Sequence, residues 1–109
     1  MSLNYEQASY ELTNLLIDNA KKINDDEINV IAINGALKSR TSQLRSLGLR
    51  RAIASNDQVN LLQEVNRDWS QQSIYEYTLK LLQRFPLIDV IFAASDEIAI
   101  GAIKAIKES

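Results

Sequence analysis

Arg45, Trp69 and the pair Ser95-Asp96 are side chains of types that can hold a polar ligand, and each follows a segment that reads as a buried strand. Arginine presents a rigid fork of N–H donors suited to a carboxylate or to paired hydroxyls. The indole of Trp69, the only tryptophan, can stack on the apolar face of a sugar ring while its N–H bonds. Ser95 and Asp96 bring oxygen to the tip of a strand. Each group also has a structural alternative. On a helical wheel Arg45, Gly48, Leu49 and Ala52 share an arc of about 100°, the arc expected to face a sheet. A charge there calls for an ion pair, with Asp68 or Asp96 as partner. With Ser70 as helix cap, Trp69 and Ile74 fit the two positions of a hydrophobic staple. Asp96 reads first as a helix N-cap, which leaves Ser95 better aimed at a cleft.

The elements that must position these groups follow from hydrophobic periodicity. Val90, Ile91, Phe92 and Ala93 form a continuous apolar run that reads as a strand buried on both faces. Ile98, Ala99, Ala102, Ile103 and Ile106 then recur at helical spacing. A buried strand turning at once into an amphipathic helix is half of a parallel α/β unit. The same reading predicts helices over residues 4–22, from about 43 to 55 and over 71–85, the last stopped by Pro86. Strands are predicted over 28–33 and 59–65, with polar loops at 36–42 and 66–70. The order is αβαβαβα, and right-handed crossovers place helices on both faces of a three-stranded parallel sheet. The expected class is therefore a three-layer α/β fold with a short parallel sheet. Ligands in such sheets sit beyond the carboxyl ends of the strands, where all the candidate residues fall. Sheets of this kind average about five or six strands, so three strands read as part of a larger sheet. Gly48, on the inner arc of its helix, is expected to allow close approach to a strand.

Composition removes several classes of chemistry. The 109 residues are 46% hydrophobic and 24% charged, with net charge −2 and neither cysteine nor histidine. Disulfides, thiol catalysis, imidazole acid–base work and the usual transition-metal ligand sets are therefore unprovided for. Lys and Arg are scattered apart from Lys21-Lys22 and Arg50-Arg51, which argues against a nucleic-acid surface on this segment. Arg50-Arg51 reads as an exposed helix face, and Asp25-Asp26-Glu27 as a solvated turn rather than a metal site. Gly35, Gly48 and Gly101 stand alone, so neither a phosphate loop nor a dinucleotide fingerprint is present. No catalytic dyad appears either, so the expectation is binding without chemistry and without a cofactor. No run approaches the ~18 apolar residues of a membrane span. Met1-Ser2-Leu3 has no basic or hydrophobic leader, and a start directly into a helix reads as a boundary within a longer protein.

At residues 88–106 the sequence IDVIFAASDEIAIGAIKAI resembles the hPDhxAIFAxNDxMAxGAhxAh block of type I periplasmic sugar-binding proteins of the ribose-binding kind. RSLGL at residues 45–49 resembles that family's R-x-x-G-F, and Asn4-Tyr5 its D-N-x-x-x-G entry to the first crossover helix. Asp68-Trp69 falls where the family often carries a cleft aromatic. The resemblance runs from Asn4 to Ser109 and implies that residues 1–109 are the first part of a C-terminal lobe. By position, Arg45 would hydrogen-bond a sugar, Trp69 would stack on it, and Ser95 would stand in for a ligand-binding Asn. Asp96 would cap the helix beside it and Ala36 would border the cleft. It further implies a periplasmic parent protein serving a membrane transporter or a sensor-kinase output. The same superfamily supplies LacI-type repressor cores and the sensor domains of histidine kinases and diguanylate cyclases. A repressor core is therefore the alternative reading. Departures are Ser95 for Asn, Leu49 for Phe, and Gln7-Ala8-Ser9 without the usual glycine. A lone partial lobe is expected to self-associate through the edge of the strand at residues 88–94 or its flanking helices.

Overall fold

The strand INVIAIN has the apolar content of a sheet centre, and β1 (Ile28–Asn34) is buried at every position except Asn29. A computed structural model describes residues 4–24, 26–36 and 38–108. Asp25 of the acidic turn, the first three residues, Leu37 and Ser109 lie outside the described residues. β1 is flanked by β2 (Val59–Asn66) and β3 (Val90–Ala93), all parallel, in the order β2-β1-β3. The chain steps to one side of β1 and then crosses to the other, so right-handed connections put the two crossover helices on opposite faces. α1 (Tyr5–Lys21) packs on α2 (Arg40–Ala54), and α3 (Gln71–Arg84) packs on α4 (Asp96–Glu108). The result is the expected three-layer α/β arrangement.

Local chemistry sets the helix starts. Asn4 Oδ1 accepts from Gln7 N at 3.0 Å, Ser39 Oγ from Ser42 N at 3.2 Å, and Ser70 and Ser73 form a reciprocal capping box. Capping at Ser39 begins α2 at Arg40, earlier than the loop predicted to run to residue 42. Before α4 it is Ser95 Oγ that accepts from Ile98 N, at 3.3 Å, leaving Asp96 as the first helical residue. The expectation that Asp96 is the cap is thus corrected. The hydroxyl sits one residue upstream, at the distance from the third helical N–H that a cap requires.

Two corrections concern packing. β3 alternates between buried Val90 and Phe92 and half-buried Ile91 and Ala93, because at the sheet edge its faces are incompletely covered. Gly48 is buried, but the element it admits is a helix, not a strand. A Cβ at Gly48 would lie 2.2 Å from Glu6 O and 2.8 Å from Ser9 Cβ, both on α1. The predicted arc therefore divides, with Gly48 against α1 while Leu49 enters the core with Ile31, Ile33 and Phe92.

β2 carries an irregularity that matters for the site. Val30 pairs with Leu61 but Ile31 with Gln63, so Leu62 is an extra residue. Beyond it Ala32 pairs with Glu64 and Asn34 with Asn66. Among the described residues no group of acidic side chains could hold a metal ion, and no helix is long and apolar enough to cross a membrane.

Candidate functional site

Beyond the carboxyl ends of the strands lie two clefts that share Ser95. The larger, about 560 Å³, opens between the first turns of α1, the second turn of α2 and the tip of β3. Tyr5, Ser9, Arg45, Phe92, Ser95 and Asp96 contribute to its wall. That volume suits a small ligand. The smaller, about 180 Å³, is bounded by Gly35, Ala36, Arg67, Trp69, Ile74 and Ser95. A wider depression of about 850 Å³ lies at the opposite, amino-terminal edge. There the polar groups are spent on one another: Asn29 N donates to Asp89 Oδ2 at 2.7 Å and Gln58 Nε2 to Asp26 O at 3.2 Å. The carboxyl edge is the better candidate because a strand-tip hydroxyl, an arginine and an aromatic ring meet along it.

Arg45 is half-buried, and its guanidinium carbon lies 5.2 Å from the centre of the Tyr5 ring. Such a cation–π contact contributes about 0.5–1 kcal/mol. The ion pair considered with Asp68 or Asp96 does not form. Among the described residues the ion pairs are Arg50–Glu64 at 2.8 Å and Arg51–Glu6 at 2.7 Å. Arg45 is consequently a cation in a cleft wall with an aromatic face beneath it and no carboxylate partner among the described residues. Its backbone carbonyl accepts from Ser9 Oγ at 2.6 Å, which ties α1 to α2 beside the cleft. Arg50 and Arg51 are exposed, as expected, but each is held by a carboxylate.

Trp69 is half-buried, and its indole N–H donates to Asn34 O at 2.7 Å. The N–H that could have served a ligand is therefore committed to the end of β1. The ring lies 5.4 Å from that of Tyr77 at 53°, and the Arg67 guanidinium approaches both, at 5.3 and 4.9 Å. Trp69 and Ile74 border the same cleft, so the staple positions are also realised. Ser95 is exposed; its oxygen caps α4 while its proton stays available to a ligand acceptor. Asp96 is exposed at the same edge, where a carboxylate is favoured by the helix N-terminus. Ala36 is half-buried in the smaller cleft only. Ser95 thus stands with Arg45 and Asp96 on one side and with Trp69 and Ala36 on the other. Arg45 and Trp69 do not share a cavity.

One group escaped the sequence reading. Glu64 has a side chain only 7% exposed. Its Oε2 accepts from Ser46 Oγ at 2.5 Å and Asn34 Nδ2 at 2.7 Å, and its Oε1 from Arg50 Nε at 2.9 Å. Beside it Asn34 is fully buried, and the Oδ1 atoms of Asn34 and Asn66 are buried without a hydrogen-bond partner. Between α3 and α4, Tyr75 donates to Glu108 and its phenol is pushed above the ordinary tyrosine range by that bond. Among the described residues the edge offers donors, acceptors and an aromatic surface.

Comparison with known proteins gives a consistent picture. Residues 2–109 match the family described as periplasmic binding protein domain. The lactose operon repressor of Escherichia coli is 29% identical over 97 residues, which cover 89% of this chain and 26% of that protein. The transcriptional repressor PurR of Histophilus somni is 32% identical over 105 residues, 91% of this chain and 28% of the repressor. Among solved structures, a periplasmic sugar-binding protein from Pseudomonas fluorescens superposes with a TM-score of 0.87 at 35% identity, covering 99% of this chain and 33% of that one. An ABC transporter periplasmic solute-binding protein from Actinobacillus succinogenes, bound to D-allose, matches the fold with a TM-score of 0.88 at 23% identity, over 99% of this chain and 36% of its own. The chain therefore spans between about a quarter and just over a third of the proteins it resembles.

Proposed function

Because the chain belongs to the periplasmic binding protein domain family, we propose that it is part of the C-terminal lobe of a two-lobed protein that holds a sugar-like solute without transforming it. Family members bind solutes, and a binding role agrees with an edge that lacks any catalytic pair. The observation that carries the reading is Arg45, a half-buried cation in a 560 Å³ cleft with no carboxylate partner among the described residues. Its N–H fork, the Ser95 hydroxyl and the Asp96 carboxylate supply both donors and acceptors, which a polyol requires, and Trp69 and Ala36 border the adjoining cleft. In the whole protein the second lobe would close over the solute and shift a population between open and closed forms. The partner would be a membrane transporter or a sensor output, and the location the periplasm.

A repressor core is the second reading, favoured by the two transcriptional repressors among the relatives. A helix-turn-helix ahead of this segment in its reading frame decides for the repressor, and a secretory leader or membrane span for transport or sensing.

Half of a two-lobed site binds weakly. If the whole protein binds near 1 µM, about −8 kcal/mol, half of the contacts leave about −4 kcal/mol, or millimolar affinity. Free aldoses and aldonic acids titrated into the labelled chain should therefore shift the Arg45 guanidinium and Ser95 amide resonances with millimolar midpoints. Arg45→Ala should weaken the responding ligand by about 10-fold or more, the loss of a charged hydrogen bond worth about 1.5–3 kcal/mol. Resonances that stay still at saturating concentrations of every sugar would remove the reading.

A further inference from the structure

We propose that Glu64 is a positioning residue, whose carboxylate holds the helix that carries Arg45 and the loop that carries Trp69 in fixed relation across the two clefts. The inference rests on the reading that these two side chains meet the ligand, but its geometry stands apart from any ligand. Oε2 receives Ser46 Oγ at 2.5 Å, from the residue next to Arg45 on α2. The same oxygen receives Asn34 Nδ2 at 2.7 Å, from the last residue of β1. The backbone carbonyl of Asn34 in turn receives the Trp69 indole N–H at 2.7 Å. A single oxygen therefore joins α2, the end of the central strand and the aromatic loop, while Arg50 neutralises the other oxygen at 2.8 Å.

Packing alone does not account for this arrangement. β2 is an edge strand, and a glutamate on it could point outward and stay hydrated. Instead the extra residue at Leu62 re-phases the strand and Glu64 ends up nearly buried. Asn34 accompanies it into full burial with Oδ1 unpartnered, where an apolar residue would leave no polar atom unsatisfied. Bulges of this kind serve to re-aim a side chain near a site. A polar junction kept in the interior against these disadvantages is suited to setting an angle and a spacing.

The test uses Trp69, the only tryptophan, and needs no sugar. Glu64→Ala should shift its emission to the red, raise its quenching by acrylamide and move both its indole N–H and the Arg45 guanidinium resonances. Glu64→Gln, which keeps an oxygen for Ser46 and Asn34, should restore most of these signals although the ion pair with Arg50 is gone. The two arms separate as well. Asn34→Leu should move the Trp69 signals and leave those of Arg45, and Ser46→Ala should do the reverse, so the proposal remains open to refutation if Glu64→Ala fails to fold. Val59→Ala, at the other end of β2, should lower the melting temperature and leave the signals in place. Folded Glu64→Ala with wild-type signals, or Val59→Ala moving them equally, overturns the proposal. Failure of every sugar to bind would strike the ligand reading and leave this one standing.

Discussion

Gly48→Ala should lower the stability of the chain by about 2 kcal/mol, and Gly48→Leu by more than about 3 kcal/mol, a large part of a small domain's total. The added Cβ would sit 2.2 Å from the carbonyl oxygen of Glu6 and 2.8 Å from Tyr10 N. Both are backbone atoms of α1, which cannot rotate away as a flexible side chain would, so the helices must separate. Separation stretches the 2.6 Å bond from Ser9 Oγ to Arg45 O and opens the wall of the larger cleft. Against this, alanine recovers about 1 kcal/mol of helix propensity relative to glycine. Gly101 on α4 is the internal comparison. A Cβ there meets Ile74 Cγ2 at 2.8 Å, Ile74 Cβ at 2.9 Å and Gln71 O at 3.2 Å, so α3 must give way too, but by less than α1 must at Gly48. Gly101→Ala should therefore destabilise as well, but less than Gly48→Ala, by about 1 kcal/mol once helix propensity offsets part of the strain. Urea melts of the two alanine variants read the difference directly. A Gly48→Ala midpoint equal to or above that of wild type would show that α1 does not press on this position.

The contrast between these glycines marks what could be read from the sequence and what could not. Periodicity located all seven elements, and the crossover rule turned their order into a three-layer fold. Such properties live in runs of residues and survive errors of one or two positions. A helical wheel likewise placed Arg45, Gly48, Leu49 and Ala52 inward, but an angle does not say which neighbour occupies it. Gly48 meets α1 and Leu49 meets the sheet, because two helices share that face. Single hydrogen bonds were less legible. Ser95 and Asp96 both have cap chemistry, and only the backbone path decides that the serine does it. The free indole N–H ascribed to Trp69 failed because Asn34 O, thirty-five residues away in sequence, lies within reach once β1 and β2 pair. Glu64 was invisible for a further reason. Its inward direction depends on the extra residue at Leu62, and VNLLQEVN carries no glycine or proline to announce a bulge.

At high concentration the isolated chain should form a two-fold dimer through the free edge of β3. Among the described residues β3 pairs with β1 on one side and has no strand on the other, so one row of its backbone groups is open to a second strand. The flanking helices supply the apolar surface: Leu12 and Leu15 on α1, and Ile100, Ile103 and Ile106 on α4, are each between 45% and 56% exposed. In an edge-to-edge pair related by a two-fold axis, each helix faces its own counterpart, so the same patch serves both copies. Covering a half-exposed Leu or Ile contributes about 1 kcal/mol, which for five residues on each of two copies gives about 10 kcal/mol. Association itself costs about 4–15 kcal/mol; a cost at the low end, about 4–6 kcal/mol, leaves about 4–6 kcal/mol, or dissociation constants from tens of micromolar to millimolar. Sedimentation across about 10–1000 µM should accordingly show a monomer giving way to a dimer. Leu15→Lys and Ile103→Lys each set two like charges against one another across the axis, and either should hold the chain monomeric with little change in melting temperature. A wild-type chain that stays monomeric throughout, or lysine variants that dimerise as it does, would exclude this edge as the interface.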